Sequence, residues 1–448
     1  MMPFTSIVRY EFKHFVRSPF KILVILMFLG CAAYGLQNGY ELFKKQNAEL
    51  AAIGSKNQET LDEVTQWYDQ GKKGPDDKPW IDVTTPPRAL FFAPASAIKK
   101  PSLMMPFAVG QAEQFGYYKQ VSNRSSVFDA DLSEEIANPE RLTLGTLDFS
   151  FVVLYLLPIV LIVLLFNVGG LEKDLGFDRL IHITQPLYHR WLWARFSFYF
   201  LLVALSMLTV MIIYGLITGA LGSMTGSFVG LYLFILGYVF IWFLILYLIN
   251  LIGNGSFGQA IIMVSLWLVF CVVLPGTVHQ LSSLKYPASY MTDYLDAARE
   301  EAYEVYDLSP ATVKSKVLSL YPELKNTLYA KDTVTDVGVI RNSVSGITNQ
   351  LTKQAARSVE KRNARKNAYL QDIYWINPVS WFQNKLNAMC DTDYTAYRAY
   401  RGRIQLLIDK KVELLLWDSW NKETVTKERF YHYLKELENA GAAMPGRI

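Results

Sequence analysis

The sequence predicts an all-α polytopic membrane protein with five transmembrane helices, an N-terminal interfacial helix and a mainly helical extracytoplasmic domain built from two insertions. Three observations predict it. First, 51% of the 448 residues are hydrophobic and only 19% are charged, with the charges gathered into separate regions. Second, 89 consecutive residues between Arg195 and Lys285 contain no Asp, Glu, Lys or Arg, and shorter uncharged runs cover 22–40 and 149–171. A charge at a bilayer centre costs roughly 2.5–3.5 kcal/mol on insertion scales, so long uncharged tracts are what lipid selects and a soluble core does not need. Third, each tract can be divided into pieces of about 20 residues, the length that crosses the hydrocarbon.

The elements follow in order. Residues 1–19 form an amphipathic helix. On a helical wheel Phe4, Val8, Phe12, Phe15 and Val16 share one arc, Arg9, Lys13 and Arg17 line the next, and Ser18-Pro19 ends the helix. Arg9, Phe12, Lys13, Phe15 and Arg17 are the candidate membrane-surface residues. A signal peptide is the rival reading, since "FLGCA" (28–32) resembles a lipoprotein cleavage box ending in Cys31; the long, patterned basic stretch before it favours the helix. The spans are 20–39, 149–168, 196–217, 228–252 and 258–280. "TGALGSMTGS" (218–227) and "GNGSFG" (253–258) supply the Gly and Ser of tight turns between the last three.

Lys and Arg near the spans set the orientation. Arg9, Lys13, Arg17 and Lys21 lie in 1–21, at the start of span one, and Lys173, Arg179, Arg190 and Arg195 lie in 169–195, whereas the opposite flanks are poorer in bases. The N-terminus and 169–195 are therefore expected in the cytoplasm, and modules 40–148 and 281–448, with the C-terminus, outside. Within these modules 41–70 reads as a charged helix interrupted near Gly54, 80–110 as irregular, and 288–307, 338–372 and 392–419 as helices, with a break at 376–384. Neither module alternates as a large sheet would. The outer ends of spans one, two and five must lie close together, so the modules are expected to pack as one domain. The aromatic and Met residues of 88–107 are candidates for its core or for contact with cargo.

Several chemistries are excluded. The formal net charge is +4 and the bases are scattered, so nucleic acid is not an expected partner. Cys31, Cys271 and Cys390 and the five dispersed His give neither a disulfide framework nor metal-ligand spacing, so no metal and no bound cofactor is expected. "GNGSFG" matches a dinucleotide fingerprint in letters but lies between membrane helices. Ser256 and His279, the one pair worth weighing for an intramembrane hydrolase, sit at opposite ends of span five, ~34 Å apart at 1.5 Å per residue. No acid or base lies in the interior of a span to relay protons. No P-loop occurs, so the chain is not expected to be an enzyme or to hydrolyse ATP by itself, and no catalytic residue is assigned.

One polar segment remains, "LEKDLGFDRLIHITQPLYHRWLWARF" (171–196). Acids at Glu172 and Asp174, the flexible Gly176, apolar Leu180, Ile181 and Ile183, then Pro186 and Arg190 describe a short helix, a stop and a basic return to the membrane. Such an element can enter a groove on a soluble partner. An ordinary positive-inside loop carries the same bases.

The pattern Glu172-Lys173, Gly176, Arg179, Leu180, Pro186, Arg190 resembles the coupling-helix loop after the second span of type-2 ABC transporter permeases (ABC-2). It departs at Phe177, where Thr is common, and at Arg195, where Lys is common. "NPERLTLGTLDFSFVVLYLLPIVLIVL" (138–164), "VFCVVLP" (269–275) and "INPVSWFQNKLNAMCDTDYTAYRAY" (376–400), with Pro378, Gln383, Asn387, Thr392 and Asp393, are similar to the branch with large extracytoplasmic insertions. That branch is an uncharacterised-permease group related to gliding-motility and copper-enzyme-maturation permeases.

The resemblance implies a half-transporter in a bacterial cytoplasmic (inner) membrane. A second permease chain, identical or paralogous, would pair with it, and two ATP-binding-cassette ATPase subunits would hold the ATP and Mg. Glu172, Lys173, Asp174, Gly176, Arg179, Leu180, Pro186 and Arg190 would couple to those subunits. Membrane lipid and outer protein or lipoprotein partners are compatible with it. Glu172→Arg is then expected to damage docking more than folding, with Arg190 and Arg195 holding the loop's return at the headgroups. The family's usual sixth span is missing; 404–420 is its one candidate, and Asp409, Lys410, Lys411 and Glu413 make it an amphipathic helix of the outer module instead. Three function classes stay open: an exporter or extractor of unknown cargo, a complex that transmits force to outer partners without transport, and a membrane enzyme.

Overall fold

The structure is a computed structural model that describes residues 4–442 apart from 124, 130, 132–146, 178–179, 182, 184–187, 254, 288–293 and 295–301. The described residues are mainly helical, consistent with an all-α polytopic protein. Among the described residues five helices are long and apolar enough to cross a membrane: α2 (Pro19–Asp69), α4 (Phe149–Asp174), α5 (Tyr188–Ile217), α6 (Thr225–Ile252) and α7 (Ser256–Lys285). They are preceded by α1 (Phe4–Val16), and α3 (Pro86–Phe92) lies between α2 and α4. After α7 come α8 (Pro310–Leu320), α9 (Val337–Asp372), α10 (Pro378–Met389), α11 (Tyr394–Trp420) and α12 (Lys427–Ala442). The sheet among the described residues is one antiparallel pair, β1 (Ser96–Ile98) and β2 (Tyr118–Gln120), with Ala97 opposite Lys119. One end of the bundle carries α1 and the segment between α4 and α5, the loop end; the other carries the polar domain.

Two cores divide the chain. The bundle core joins Phe28, Ala32 and Leu36 of α2 to Leu157, Leu161 and Leu164 of α4, Tyr199 and Val203 of α5, Leu231 and Val239 of α6 and Met263 of α7. The domain core draws on both polar segments, with Val64, Leu90 and Met105 meeting Val317, Ile347, Tyr400, Val412 and Trp420. Helix α10 packs on the bundle rather than the domain, its Phe382 ring 4.8 Å from Tyr238 and 5.0 Å from Phe234 of α6. At the junction α2 passes two backbones closely: a Cβ on Gly35 would meet the Asp148 backbone at 2.8 Å, and one on Gly39 the Pro106 backbone at 2.7 Å. This is the small-xxx-small spacing by which helices approach in lipid.

Two expectations need correction. The interruption near Gly54 does not occur, and α2 runs unbroken from Pro19 to Asp69. A glycine in an exposed helix costs only about 1 kcal/mol relative to Ala, and burial of Gln46 and Val64 on either side keeps the helix on its course. The break at 376–384 is shorter than expected: Asn377 caps Ser380 and α10 starts at Pro378, where a missing N–H costs nothing. The expected helix at 288–307 lies largely outside the described residues. Helices α8 and α12 are further elements of the domain. Residues 404–420 lie inside α11, the spine of the domain core, with Asp409 bonded to Lys353 at 2.6 Å and Lys410 to Glu436 at 2.9 Å.

Spans α4 and α7 share a local irregularity. Each has a π-helical turn, Val152–Leu156 and Val269–Val273, followed directly by Leu-Pro. Proline removes a helix hydrogen bond and crowds the carbonyl four residues back, and a wider turn relieves it. The Leu154 carbonyl, four residues before Pro158, instead accepts from the Tyr238 hydroxyl at 2.6 Å, with the Cys271 Sγ 3.8 Å away. Trp267 Nε1 donates to the next carbonyl, Tyr155, at 3.0 Å. The two irregular turns thus meet, and side chains from α6 and α7 satisfy the backbone that they leave open.

Candidate functional site

At the loop end α1 docks on α5. Helix α1 buries Ile7, Glu11 and Phe15, a stripe at four-residue spacing. Phe15 meets Phe198 and Tyr199 edge-on at 5.9 and 6.5 Å. Phe4, Tyr10, Phe12 and Val16 stay exposed, as do Arg9, Lys13 and Arg17. Of the five proposed membrane-surface residues, Phe15 is therefore used for packing within the chain, while Arg9, Phe12, Lys13 and Arg17 remain on the outside. The neutral wheel did not separate these two faces because both are rich in apolar residues.

The buried stripe carries a carboxylate, and it is paired. Arg195 Nε donates to Glu11 Oε2 at 2.7 Å, and Arg195 Nη1 reaches Glu172 Oε1 and the Val168 carbonyl. Tyr199 donates to the other Glu11 oxygen at 2.8 Å and accepts from Lys21 Nζ at 2.6 Å. The guanidinium also lies 4.8 Å from the Trp191 ring. Two acids and two bases thus balance in a poorly hydrated site, the condition under which buried charge is tolerable. Burial pushes the Glu11 carboxyl up, but Arg195, with help from Tyr199 and Lys21, outweighs it and holds the group below the usual carboxylate range. The network ties α1, the base of α2, the end of α4 and the start of α5 into one unit.

The next two residues extend the wiring. Lys173 Nζ donates to the Asn250 carbonyl at 3.3 Å and to the Gly253 carbonyl, closing the C-terminus of α6. Asp174 accepts from the Ser256 backbone N–H at 3.1 and 3.2 Å and so caps the N-terminus of α7. Each charge sits at the helix end whose dipole it complements. Fully buried Asn250 donates to the Leu165 carbonyl at 3.2 Å and accepts from Gly169 at 3.2 Å, and Gln259 lies against it. Gly170 permits the close crossing, since a Cβ there would lie 2.7 Å from the Ser256 backbone.

The proposed coupling residues therefore divide. Glu172, Lys173 and Asp174 are bonded inward. Gly176 is exposed with φ of 75°, a left-handed turn that suits Gly. Leu180 and Arg190 are exposed, and Arg179 and Pro186 lie outside the described residues. Arg195 does not sit among headgroups as expected; it is 9% exposed at the centre of the network. Among the described residues the segment also presents apolar side chains outward: Leu175, Phe177, Leu180 and Ile183 are 55–79% exposed.

Sequence reasoning missed Glu11, Lys21, Tyr199, Asn250 and Gln259. Their signals were available. Glu11 is the lone acid of an otherwise basic helix, and Asn250 and Gln259 are amides inside apolar tracts, where a polar group needs a partner.

A family model described as a domain of unknown function (DUF3526) matches residues 294–434, most of the second polar segment. No curated protein and no solved structure matches the chain.

Proposed function

We propose that the chain is the membrane-spanning permease subunit of an ATP-binding-cassette assembly of the ABC-2 type, driven at its loop end by separate ATPase subunits. In this reading the loop end is cytoplasmic, the polar domain is extracytoplasmic and the membrane is the bacterial inner membrane. The carrying observation is the division of labour in 171–196. Four of its charges, Glu172, Lys173, Asp174 and Arg195, are spent on α1 and the ends of α5, α6 and α7, while Leu175, Phe177, Leu180 and Ile183 project outward. An apolar knob on a segment bonded to four helices can receive a push and pass it on, because those helices must move with it. The weakly buried outer face of α7 gives a second permease chain a surface to pair with.

One observation favours force transmission over transport as the use of that push. Helix α2 is continuous for 51 residues, ~75 Å at 1.5 Å per residue, from the network at Lys21 into the domain core at Val64. A rigid rod of this kind carries displacement at the loop end to outer partners whether or not cargo crosses.

The test is isolation of the chain from its native membrane in mild detergent. Recovery of a P-loop ATPase in equal number with the permease supports the proposal, and recovery of the chain without one, under conditions that keep it folded, counts against it. Transport into vesicles by that assembly distinguishes the exporter from the force transmitter.

A further inference from the structure

The polar domain contains a cavity of about 810 Å³, walled by α2, α3, the strand β2 exit, α9 and α11. Three cations line it: Arg88 at the start of α3, Arg341 on α9 and Lys411 on α11. Among the described residues that line it there is no Asp or Glu. Among the described residues neither Arg88 nor Arg341 has a carboxylate within ion-pair distance, and both are exposed to the cavity's solvent.

Lys411 is the unusual member. It is 1% exposed, yet among the described residues its Nζ meets only two backbone carbonyls, Val121 at 2.9 Å and Ala93 at 3.3 Å. An ammonium has three donors, and burying it without a counter-charge is costly. A fold that retains such a lysine beside two unpaired arginines has built a site of one sign, which an anion completes. Asn123 adds a side-chain oxygen on the same wall that is buried and, among the described residues, has no hydrogen-bond partner, an acceptor for a hydroxyl. The exposed ring of Phe91 supplies apolar wall beside the charges.

We propose that this cavity binds a small hydroxylated anion, a phosphate or carboxylate carried on a glycerol- or sugar-like body. Arg88 and Arg341 provide the paired donors that match oxyanion geometry, and Lys411 provides a third, fixed donor whose protonated form a bound anion favours. Position excludes a headgroup still seated in the bilayer. Asn57, on the α2 wall, stands ~27 Å along the helix from residue 39, where its apolar tract ends. The ligand is either free in solution or a lipid already lifted out of the membrane. The site draws residues from both polar segments, so it exists only in the assembled domain.

Calorimetric titration of the full chain in detergent tests this with three probes: inorganic phosphate, glycerol 3-phosphate and short-chain dihexanoyl phosphatidylglycerol. Saturable binding of glycerol 3-phosphate, weakened by about tenfold or more in Arg88→Gln and in Arg341→Gln and lost in Lys411→Met, is expected. The two arginines are exposed, so their variants keep the fold even if Lys411→Met does not, and thermal melting of each variant verifies it. Tighter binding of the short-chain lipid than of glycerol 3-phosphate identifies an extracted lipid as the occupant, and equal or weaker binding identifies a free anion. Failure of all three probes to bind the folded parent overturns the proposal, as does binding that the arginine variants leave unchanged.

Discussion

Arg195 Nε stands 2.7 Å from Glu11 Oε2, although 184 residues separate the two in the chain. The pair fixes α1 to the bundle, and through Glu172 it fixes the start of the α4–α5 segment as well. Removing one partner strands the others. Arg195→Met leaves two carboxylates at a poorly hydrated site and is expected to cost about 3–5 kcal/mol, read as a lowered melting temperature in detergent. Glu11→Gln together with Arg195→Met should recover part of the loss, because the double change removes one of the stranded acids. Melting of Arg195→Met with the parent contradicts the network. For the same reason Glu172→Arg, which sets a second guanidinium against Arg195, reports on folding before it reports on any partner.

The proline-linked turns make a second prediction. Tyr238→Phe leaves the Leu154 carbonyl without its 2.6 Å partner in a medium that offers no water. The expected cost is about 1–3 kcal/mol. Pro158→Ala in that background restores an N–H four residues on and should recover stability. Unaltered melting of Tyr238→Phe would show that the opened carbonyl is satisfied elsewhere.

Lys411 predicts a pH dependence. Burial lowers its folded pKa to about 7 from an ordinary 10.5, so between these values the unfolded chain holds the extra proton. The sign follows: the cost of burying the charge is felt in full below about pH 7 and is relieved as pH rises, by up to about 1.4 kcal/mol per unit. Measured from about pH 7 to about pH 9, the melting temperature of the parent should climb relative to that of Lys411→Met. Parallel curves for the two proteins would refute it.

Orientation is open to direct labelling. With the loop end in the cytoplasm and five crossings, α12 lies outside, and a cysteine in place of Ala440 should react with a membrane-impermeant thiol reagent in intact cells with a permeabilised outer membrane. Cys271 and Cys390 are buried, so background from them is low. Reaction only after lysis of the inner membrane reverses the assignment.

Spans were legible in the sequence because lipid imposes one demand on every residue of a tract, so the uncharged runs at 22–40, 149–171 and 196–284 mark them without reference to partners. Helix ends inside the polar domain were legible where a local cap sets them, as Asp393 does by accepting from the backbone of Thr395 and Ala396. The continuity of α2 past Gly54 was not, since its support at Val64 comes from a core assembled across the whole chain. The candidate site was half legible. Its segment stood out by charge, but a sequence does not say whether Glu172 faces a partner or Arg195, because that choice depends on where α1 docks. Exposed Leu175 and Phe177 were undervalued for the converse reason: apolar residues are assumed to be inside until the charges are found to occupy the interior.

We propose that the segment after α4 presents an apolar knob to a separate ATPase, while Glu172, Lys173 and Asp174 before it and Arg195 after it hold the bundle. Recovery of that ATPase with the purified chain, compared between the parent, Leu180→Asp and Ile183→Asp, tests it most directly. Both side chains are exposed, at 58% and 79%, so both variants should melt with the parent. Each variant is expected to insert, to fold and to lose the ATPase. Undiminished ATPase recovery with both variants would contradict it and would place the energy input elsewhere on the chain.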